Sequence, residues 1–566
     1  MGMFAIERSK EAMLFEKERT REYWESLKSN TILIPLIDLI KKDYDELMGE
    51  CFTVLSYSKY KLYFETGDRK VFEDAYFARR ALLVRAMLLS LLYPESDEYI
   101  NTFQDMAWDI CNEYTWVIPA HSFNHKVDLF SSETALVLTE GVAFLSDRID
   151  NRIKDRIYNT VKSRVIDVYN DNVFDWEKYT SNWTAVCTHN VGLTMMYAYN
   201  DDFEKNQDRI IKSMDVFLDG FSDEGVCFEG PGYWGYGFGC FVWLADAIRR
   251  YTNGTVDLLR GEKAKRISGY PQYVSLCGGA TISFSDSPQK SGFNPLLINY
   301  LYDYYNGELS SVDCTYTGIK TNKQNSQFSY IKYFVFSKYL EVKREDDTKE
   351  MDYFLPDAGY MIINKKDYSF AVKAGNNAEL HNHNDVGSFI FADTDGQAFC
   401  DLGHGFYSAD YFGEKRYEIL CNSSLGHSVP IVNGKGQVSG KEHCGSISYE
   451  NGAVTVDFSK AYSVLELNRL TRTVTSNENG IILADSYCGE IEKFVERFVT
   501  QREPEIIGET VVIGKTAIKF DGSKLNPEIS VAIHKNHNGI DEKVYLIDFA
   551  LPKEENIATF ALTAKE

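Results

Sequence analysis

No stretch of the 566-residue chain approaches the roughly 20 consecutive apolar residues that span a bilayer. Positive charge is scarce: 60 Lys and Arg stand against 83 Asp and Glu, a net charge of -23. That deficit argues against a nucleic-acid partner, because phosphate binding requires clustered Lys and Arg. At face value it argues against any polyanion. The opening MGMFAIERSKEAMLFEKERTREYW lacks the n-region, apolar core and small-residue cleavage site of a secretory signal. The chain as it stands reads as cytoplasmic, or as secreted or periplasmic with its leader removed. The 11 cysteines form no CxxC pair, and most lie in apolar runs, as Cys240 and Cys400 do. They read as reduced, buried thiols rather than a disulfide framework. There is no low-complexity tract, no visible repeat, and no tryptophan after Trp243, the last of seven.

That last asymmetry marks two halves. Helical periodicity runs through ALLVRAMLLSLLY (81–93), SETALVLTEGVAFL (132–145) and residues 238–251, with short polar breaks and no strong strand signal. From about 353 the pattern becomes short β-rich runs such as SFAVKAG, GSFIFAD and KVYLIDFAL, separated by Gly, Asn and Asp turns. The length suits two to four domains. The reading is α+β and multidomain: helical hairpins packed side by side over 1–310, a polar connector over 311–350, and an antiparallel β-sandwich over 351–566.

Histidine is the first chemical clue. Five of the ten fall between 381 and 443: His381, His383, His404, His427 and His443. Residues 389–392 and 397–400 read as strands joined by the turn Asp393-Thr394-Asp395-Gly396. Such a hairpin returns Asp401 to the end where His381 and His383 enter. Residues two apart in an extended segment face one side, so the two histidines project together. His383, Asp401 and His427 then suit a two-imidazole, one-carboxylate metal site. Hydrogen-bonded turn histidines are the alternative.

Three further segments stand out. In SNWTAVCTHNVGLTMMYAY (181–199), Asn182 and His189 share a helix face two turns apart, or Asn182 merely caps the helix. In DEGVCFEGPGYWGYGFG (223–239), six glycines crowd around Tyr233, Trp234 and Tyr236. The run has neither GxGxxG after a strand nor a terminal Gly-Lys-Ser/Thr, which argues against a nucleotide cradle. Glycine permits close approach, and aromatic rings suit the C–H faces of sugars; an aromatic core turn is the bland reading. The loop at 116–135 carries His121 and His125 as a candidate cleft rim.

Taken in order, the Asn-Trp pair, the E-x-x-x-Y stretch, H-x-H-x-D and the later S-x-x-H resemble the heparinase II/III-like polysaccharide lyases. The resemblance covers nearly the whole chain in architecture. It implies an N-terminal incomplete (α/α) toroid and a C-terminal antiparallel β-sandwich. It implies that Asn182 helps neutralise a uronate carboxylate, that Tyr233 is the catalytic tyrosine with Tyr236 as runner-up, and that His381 is the catalytic histidine. It also implies that His383, Asp401 and His427 hold one divalent ion, Zn or Mn, in a structural role. Some relatives have histidine directly after the asparagine, where this chain has Trp183; His189 stands as its substitute. The last ligand lies in LGHSVP rather than the commoner HNT. Tyr417 matches a further tyrosine of alginate-cleaving relatives. Trp183, Trp234, Tyr236, His121, Glu229 and Arg80 complete the candidate substrate-binding set.

The implied reaction is β-elimination on a uronic-acid-containing polysaccharide: a glycosaminoglycan such as hyaluronan, chondroitin or heparan sulfate, with 4,5-unsaturated products. Alginate or oligoalginate is the alternative substrate. A toroid-type glycoside hydrolase using Asp223, Glu224 or Glu229 is the rival enzyme, since hydrolysis needs a carboxylate pair. A non-enzymatic carbohydrate-binding protein is the remaining class. The partner is an acidic polysaccharide or oligosaccharide, with no nucleic acid and no membrane; the oligomeric state stays open. Net charge governs long-range steering rather than the local field in a cleft. Arg79, Arg80, His121, His189 and the β-region histidines are therefore expected to make a locally positive groove. Steering should be weak, favouring short or lightly sulfated chains.

Overall fold

The computed structural model describes residues 13–49, 54–122, 126–310, 312, 314, 330–340, 350–379, 381–408 and 410–564. The apolar runs of the first half become helices: 81–93 lies within Lys70–Leu92, 132–145 within Leu129–Leu145, and 238–251 coincides with Gly239–Tyr251. Asp128 shows why one of them starts where it does. Its carboxylate accepts the Ser131 N–H, and its own N–H donates to Ser131 Oγ, each at 2.8 Å, a reciprocal cap. Every residue from Leu129 to Val142 is buried, so this helix has no solvent face. By length and composition Leu129–Arg148 is apolar enough to cross a membrane, contrary to the sequence expectation, yet 89% of its apolar window is buried inside the fold. It is a core helix. It packs on Asn182–Ala198, which in turn contacts Asn200–Leu218 and Gly239–Tyr251, while Lys70–Leu92 pairs with Asp97–Cys111. The result is an incomplete (α/α) toroid of helical hairpins.

Arg80 corrects the groove expectation. It is wholly buried, donates to both Glu113 oxygens at 3.1 and 2.7 Å and to Thr134 Oγ1 at 2.9 Å, and lies 3.3 Å over the Tyr76 ring. Arg79 is bound beside it, also to Glu113. Arg80 is closed off from any substrate, while Arg79, paired with Glu113 and Asp109, lies at the wall of a cavity lined by Tyr60, Trp108 and Tyr114. Removing one partner of a buried pair strands the other, which costs about 3–5 kcal/mol. Because Glu113 retains Arg79, Arg80→Ala is expected to destabilise towards the lower end of that range, seen as a fall in thermal midpoint with KM unchanged. A raised KM at an unchanged midpoint would return Arg80 to the substrate.

Two features of the connecting region depart from the sequence reading. A short antiparallel pair, Ser275–Leu276 with Ala280–Thr281, interrupts the helical half. Within 311–350, much of which lies outside the described residues, Ile331–Val335 and Ser337–Leu340 are helical turns. They anchor in the toroid core: Phe334 packs on Trp24 at 5.2 Å and Phe336 on Trp243 at 4.8 Å between ring centroids.

The β region opens with a five-stranded antiparallel sheet in sequence order: Tyr353–Leu355, Tyr360–Asn364, Tyr368–Lys373, Phe389–Asp393 and Gly396–Phe399. Side chains alternate across a strand, and here both faces are buried. Tyr360, Ile362, Ala371, Ile390 and Ala392 join the toroid core. Met361, Ile363, Phe370, Val372, Phe389 and Phe391 join the core of the sandwich. The sheet is thus a shared middle layer. Beyond it lie an eight-stranded and a four-stranded antiparallel sheet. Arg472, fully buried, bridges them by bonding Asp485 and Glu496 and also donates to the Gly387 and Ser428 carbonyls. It thereby fixes the loops that carry Asp385 and His427.

Candidate active site at the domain interface

Tyr233 sits on a sharply constrained turn. Gly230 has φ +93°, and a Cβ there would lie 1.7 Å from Ser287 Oγ. Only glycine fits, and its purpose is contact with the 282–288 loop rather than with a sugar. Pro231 starts a helical turn, which passes through a π-turn, Trp234–Phe238, into Gly239–Tyr251. This local irregularity, a common device at functional sites, parts the neighbouring aromatics. Tyr233 turns outward, stacks on His381 with ring centroids 4.8 Å apart and planes at 26°, and lies beside Tyr407. Burial raises its phenol above the usual range. Trp234 turns inward, donates to the Ile267 carbonyl and packs on Phe238; it is core, not a sugar platform.

His381 comes from the long segment between the strands Tyr368–Lys373 and Phe389–Asp393. It has φ +54°, a strained conformation for a non-glycine residue. Its Nδ1 lies 2.9 Å from Asp286 Oδ2, and its Nε2 lies 3.7 Å from Glu229 Oε1. Glu229 is buried and lies beside the backbone N–H of Asn182, the first residue of the helix Asn182–Ala198. Burial raises its carboxyl, opposed by His381 and by that N–H. Thus Tyr233, His381, Glu229 and Asn182, drawn from both halves, converge.

Behind His381 lies a second buried cluster. His383 Nε2 is 3.0 Å from Asp286 Oδ1, and His427 Nε2 is 2.8 Å from the Cys421 carbonyl oxygen. These bonds leave both Nδ1 atoms facing Asp401, at 3.7 Å from His383 and 3.1 Å from His427. Both Nδ1 atoms and Asp401 Oδ2 are buried without a hydrogen bond. One ligand atom each from His383, Asp385, Asp401 and His427 fits within 4.8 Å of the others. Burial opposes a charged His383, yet its bond to Asp286 and the adjacent Asp401 carboxylate hold it up at about 9, so the carboxylates favour positive charge here. Orphaned donor atoms on two imidazoles and a carboxylate, with the opposite ring nitrogens fixed, fit a small divalent cation. Asp385 is also engaged by the fully buried Lys373 ammonium at 2.9 Å, so its charge is already met.

Other expected residues lie elsewhere. His189 is buried, bonded through Nδ1 to Asn190, and burial holds it down at about 3; it is neutral and adds nothing to a positive groove. Tyr236 points into the toroid beside Glu133 and Cys240, and burial drives its phenol well up, so Tyr233 rather than Tyr236 faces His381. Half-buried Trp183 packs against His121 at 4.8 Å, and His121 bonds Asp128 at 2.8 Å, an aromatic edge next to Asn182. Tyr417 donates to Asn382 Oδ1. His125 lies outside the described residues. Asp223 is exposed and paired with Lys263, and Glu224 accepts the Asp357 N–H, so both carboxylates are engaged with other partners.

The residue missing from the sequence reading is Asp286. Its side chain is fully buried, and each oxygen has two partners: His383 and the Tyr411 hydroxyl on Oδ1, His381 and Arg416 on Oδ2. Against burial, these bonds hold its carboxyl far below the usual carboxylate range. In the sequence it is one acid among serines, 95 residues before His381, with no motif to mark it. Tyr407 was equally unmarked. Asp385 had a signal, the period-2 run of H-x-H-x-D.

Residues 347–558 match the family model described as Heparinase II/III-like, C-terminal. Comparison with curated protein sequences finds no match. Among solved structures, a mutant of heparan sulfate lyase HepC from Pedobacter heparinus is similar at TM-score 0.64 and 14% identity, over 88% of this chain and 78% of that one. A heparinase III gives TM-score 0.64 at 12% identity, over 93% and 84%. A chondroitin AC lyase from Streptomyces coelicolor A3, in complex with chondroitin sulphate, gives 0.59 at 8% identity, over 96% and 82%.

Proposed function

We propose that this chain, whose C-terminal region is a heparinase II/III-like domain, is a polysaccharide lyase that cleaves uronic-acid-containing chains by β-elimination. The observation that carries the reading is the His381–Tyr233 stack at the interface of the two halves, with His381 Nδ1 committed to Asp286. A proton on Nδ1 satisfies Asp286 and leaves the Nε2 lone pair free. Nε2 takes the C5 proton of the uronate. The electron pair moves into the carboxylate-stabilised enolate, then forms the C4=C5 bond and expels O4. Tyr233 protonates that leaving oxygen. Its raised phenol suits an acid that keeps its proton until needed, not a base. Glu229, 3.7 Å from Nε2, favours the imidazolium that forms. Asn182, at the N-terminus of a 17-residue helix, supplies amide hydrogen-bonding to the substrate carboxylate, and the helix dipole adds to it.

The substrate in this reading is a glycosaminoglycan such as hyaluronan, chondroitin or heparan sulfate, the last being what HepC is named for. The metal reading is one divalent ion, Zn or Mn, held by His383 Nδ1, Asp401 and His427 Nδ1. When bound, such an ion supplies a crosslink between three loops and no direct contact with substrate. Incubation with a panel of uronate polysaccharides should release products that absorb in the ultraviolet and carry no added water. Products one water heavier, without absorbance, would replace the lyase with a hydrolase. Turnover of alginate alone would move the substrate to the alternative class.

A further inference from the structure

The Asp286 carboxylate hydrogen-bonds both histidines of the H-x-H pair. Its loop is wedged from two sides. A Cβ on Gly230 would meet Ser287 Oγ at 1.7 Å, and a Cβ on Gly403, at φ +64°, would meet the Ser287 carbonyl oxygen at 2.0 Å. The first contact comes from the Tyr233 turn and the second from the loop just after Asp401. The carboxylate so held accepts four donors, two on each oxygen, and has no capacity left for solvent. One oxygen faces the histidine with the strained backbone, and the other faces the histidine whose free nitrogen points at Asp401. A carboxylate on one ring nitrogen decides which nitrogen carries the proton and where the ring points.

We propose that Asp286 is a positioning residue that couples the two clusters. It fixes the proton on His381 Nδ1, so that Nε2 presents its lone pair to the cleft. It also turns His383 so that Nδ1 faces the ion site. Since both histidines share one carboxylate, occupancy of the ion site and alignment of His381 stabilise each other, and the coupling is reciprocal. The His381 half of this inference rests on the lyase reading; the His383 half does not.

The test compares the purified, metal-loaded full chain with its Asp286→Asn variant. The variant keeps shape but removes the charge, and its amide must donate to one histidine, forcing that ring into the other tautomer. In a Ser–His–Asp triad the corresponding wrong tautomer costs about 10⁴-fold in kcat. Here kcat is expected to fall at least about 10²-fold with KM within about threefold. Competition with a chelator for Zn is expected to show affinity weakened about 10–100-fold. Wild-type kcat or wild-type Zn affinity in the variant would overturn the coupling. Should Asp286→Asn not fold, Asp286→Glu retains the charge and displaces it by one methylene. Zn affinity and kcat should then both fall; either at the wild-type level would overturn the inference. Wild-type protein that releases no unsaturated product from any uronate polymer would sink the lyase reading by itself, while the Zn competition still decides the His383 half.

Discussion

Tyr233→Phe is expected to lower kcat by about 10²–10⁴-fold, the range for losing a positioned proton donor, while substrate affinity stays near the wild-type value. The substitution removes one oxygen and leaves the ring that stacks on His381 at 4.8 Å. Binding contacts of the ring therefore survive, and the variant should still retard or be saturated by substrate. The hydroxyl is half-buried beside Tyr407, so its loss also removes a polar neighbour of the Tyr407 hydroxyl. That is a stability cost of about 1–3 kcal/mol at most, readable as a modest fall in thermal midpoint. Steady-state kinetics with a calorimetric binding measurement separate the two effects. Unchanged turnover would remove Tyr233 from the chemistry and leave it as packing.

Removing the proposed ion with a chelator is expected to lower activity and thermal stability together. An ion present at about 1,000 times its dissociation constant stabilises the folded state by about 4 kcal/mol. For a region of this size that is a fall in midpoint on the order of 10 °C. The physical reason is the cluster itself: two Nδ1 atoms and Asp401 Oδ2 are buried and unbonded, and they hold loops from three parts of the β region. Metal replacement should restore both properties. Activity lost with the midpoint unchanged would mean that the ion acts on the substrate rather than on the loops.

Much of this architecture was legible because it is local. The Leu129–Leu145 and Gly239–Tyr251 helices announce themselves by periodicity, and the 393–396 turn by its composition. The pairing of His383 with Asp401 followed from that turn. What escaped depends on the third dimension. Counting charges placed Arg80 in a groove, since nothing near it in sequence shows that Glu113, 33 residues away, neutralises it. The glycine-rich run put Trp234 and Tyr236 beside Tyr233 as candidates, because a π-turn that redirects them leaves no simple sequence mark. Asp286 belongs by sequence to the helical half and by contact to the histidines of the β half.

The shared sheet has a consequence for how the protein can be made and divided. Tyr360, Ile362, Ala371, Ile390 and Ala392 are buried only because the toroid lies against them. Expressed alone, the β region would present that row as an uncovered apolar surface, a liability for aggregation. The helical half alone would lack His381, and the β half alone would lack Asp286 and Tyr233. Assembly therefore depends on contacts far apart in the chain, which form late and slowly in folding. Catalytic competence should appear only once both halves have docked, so it reports completion of folding rather than the formation of either part.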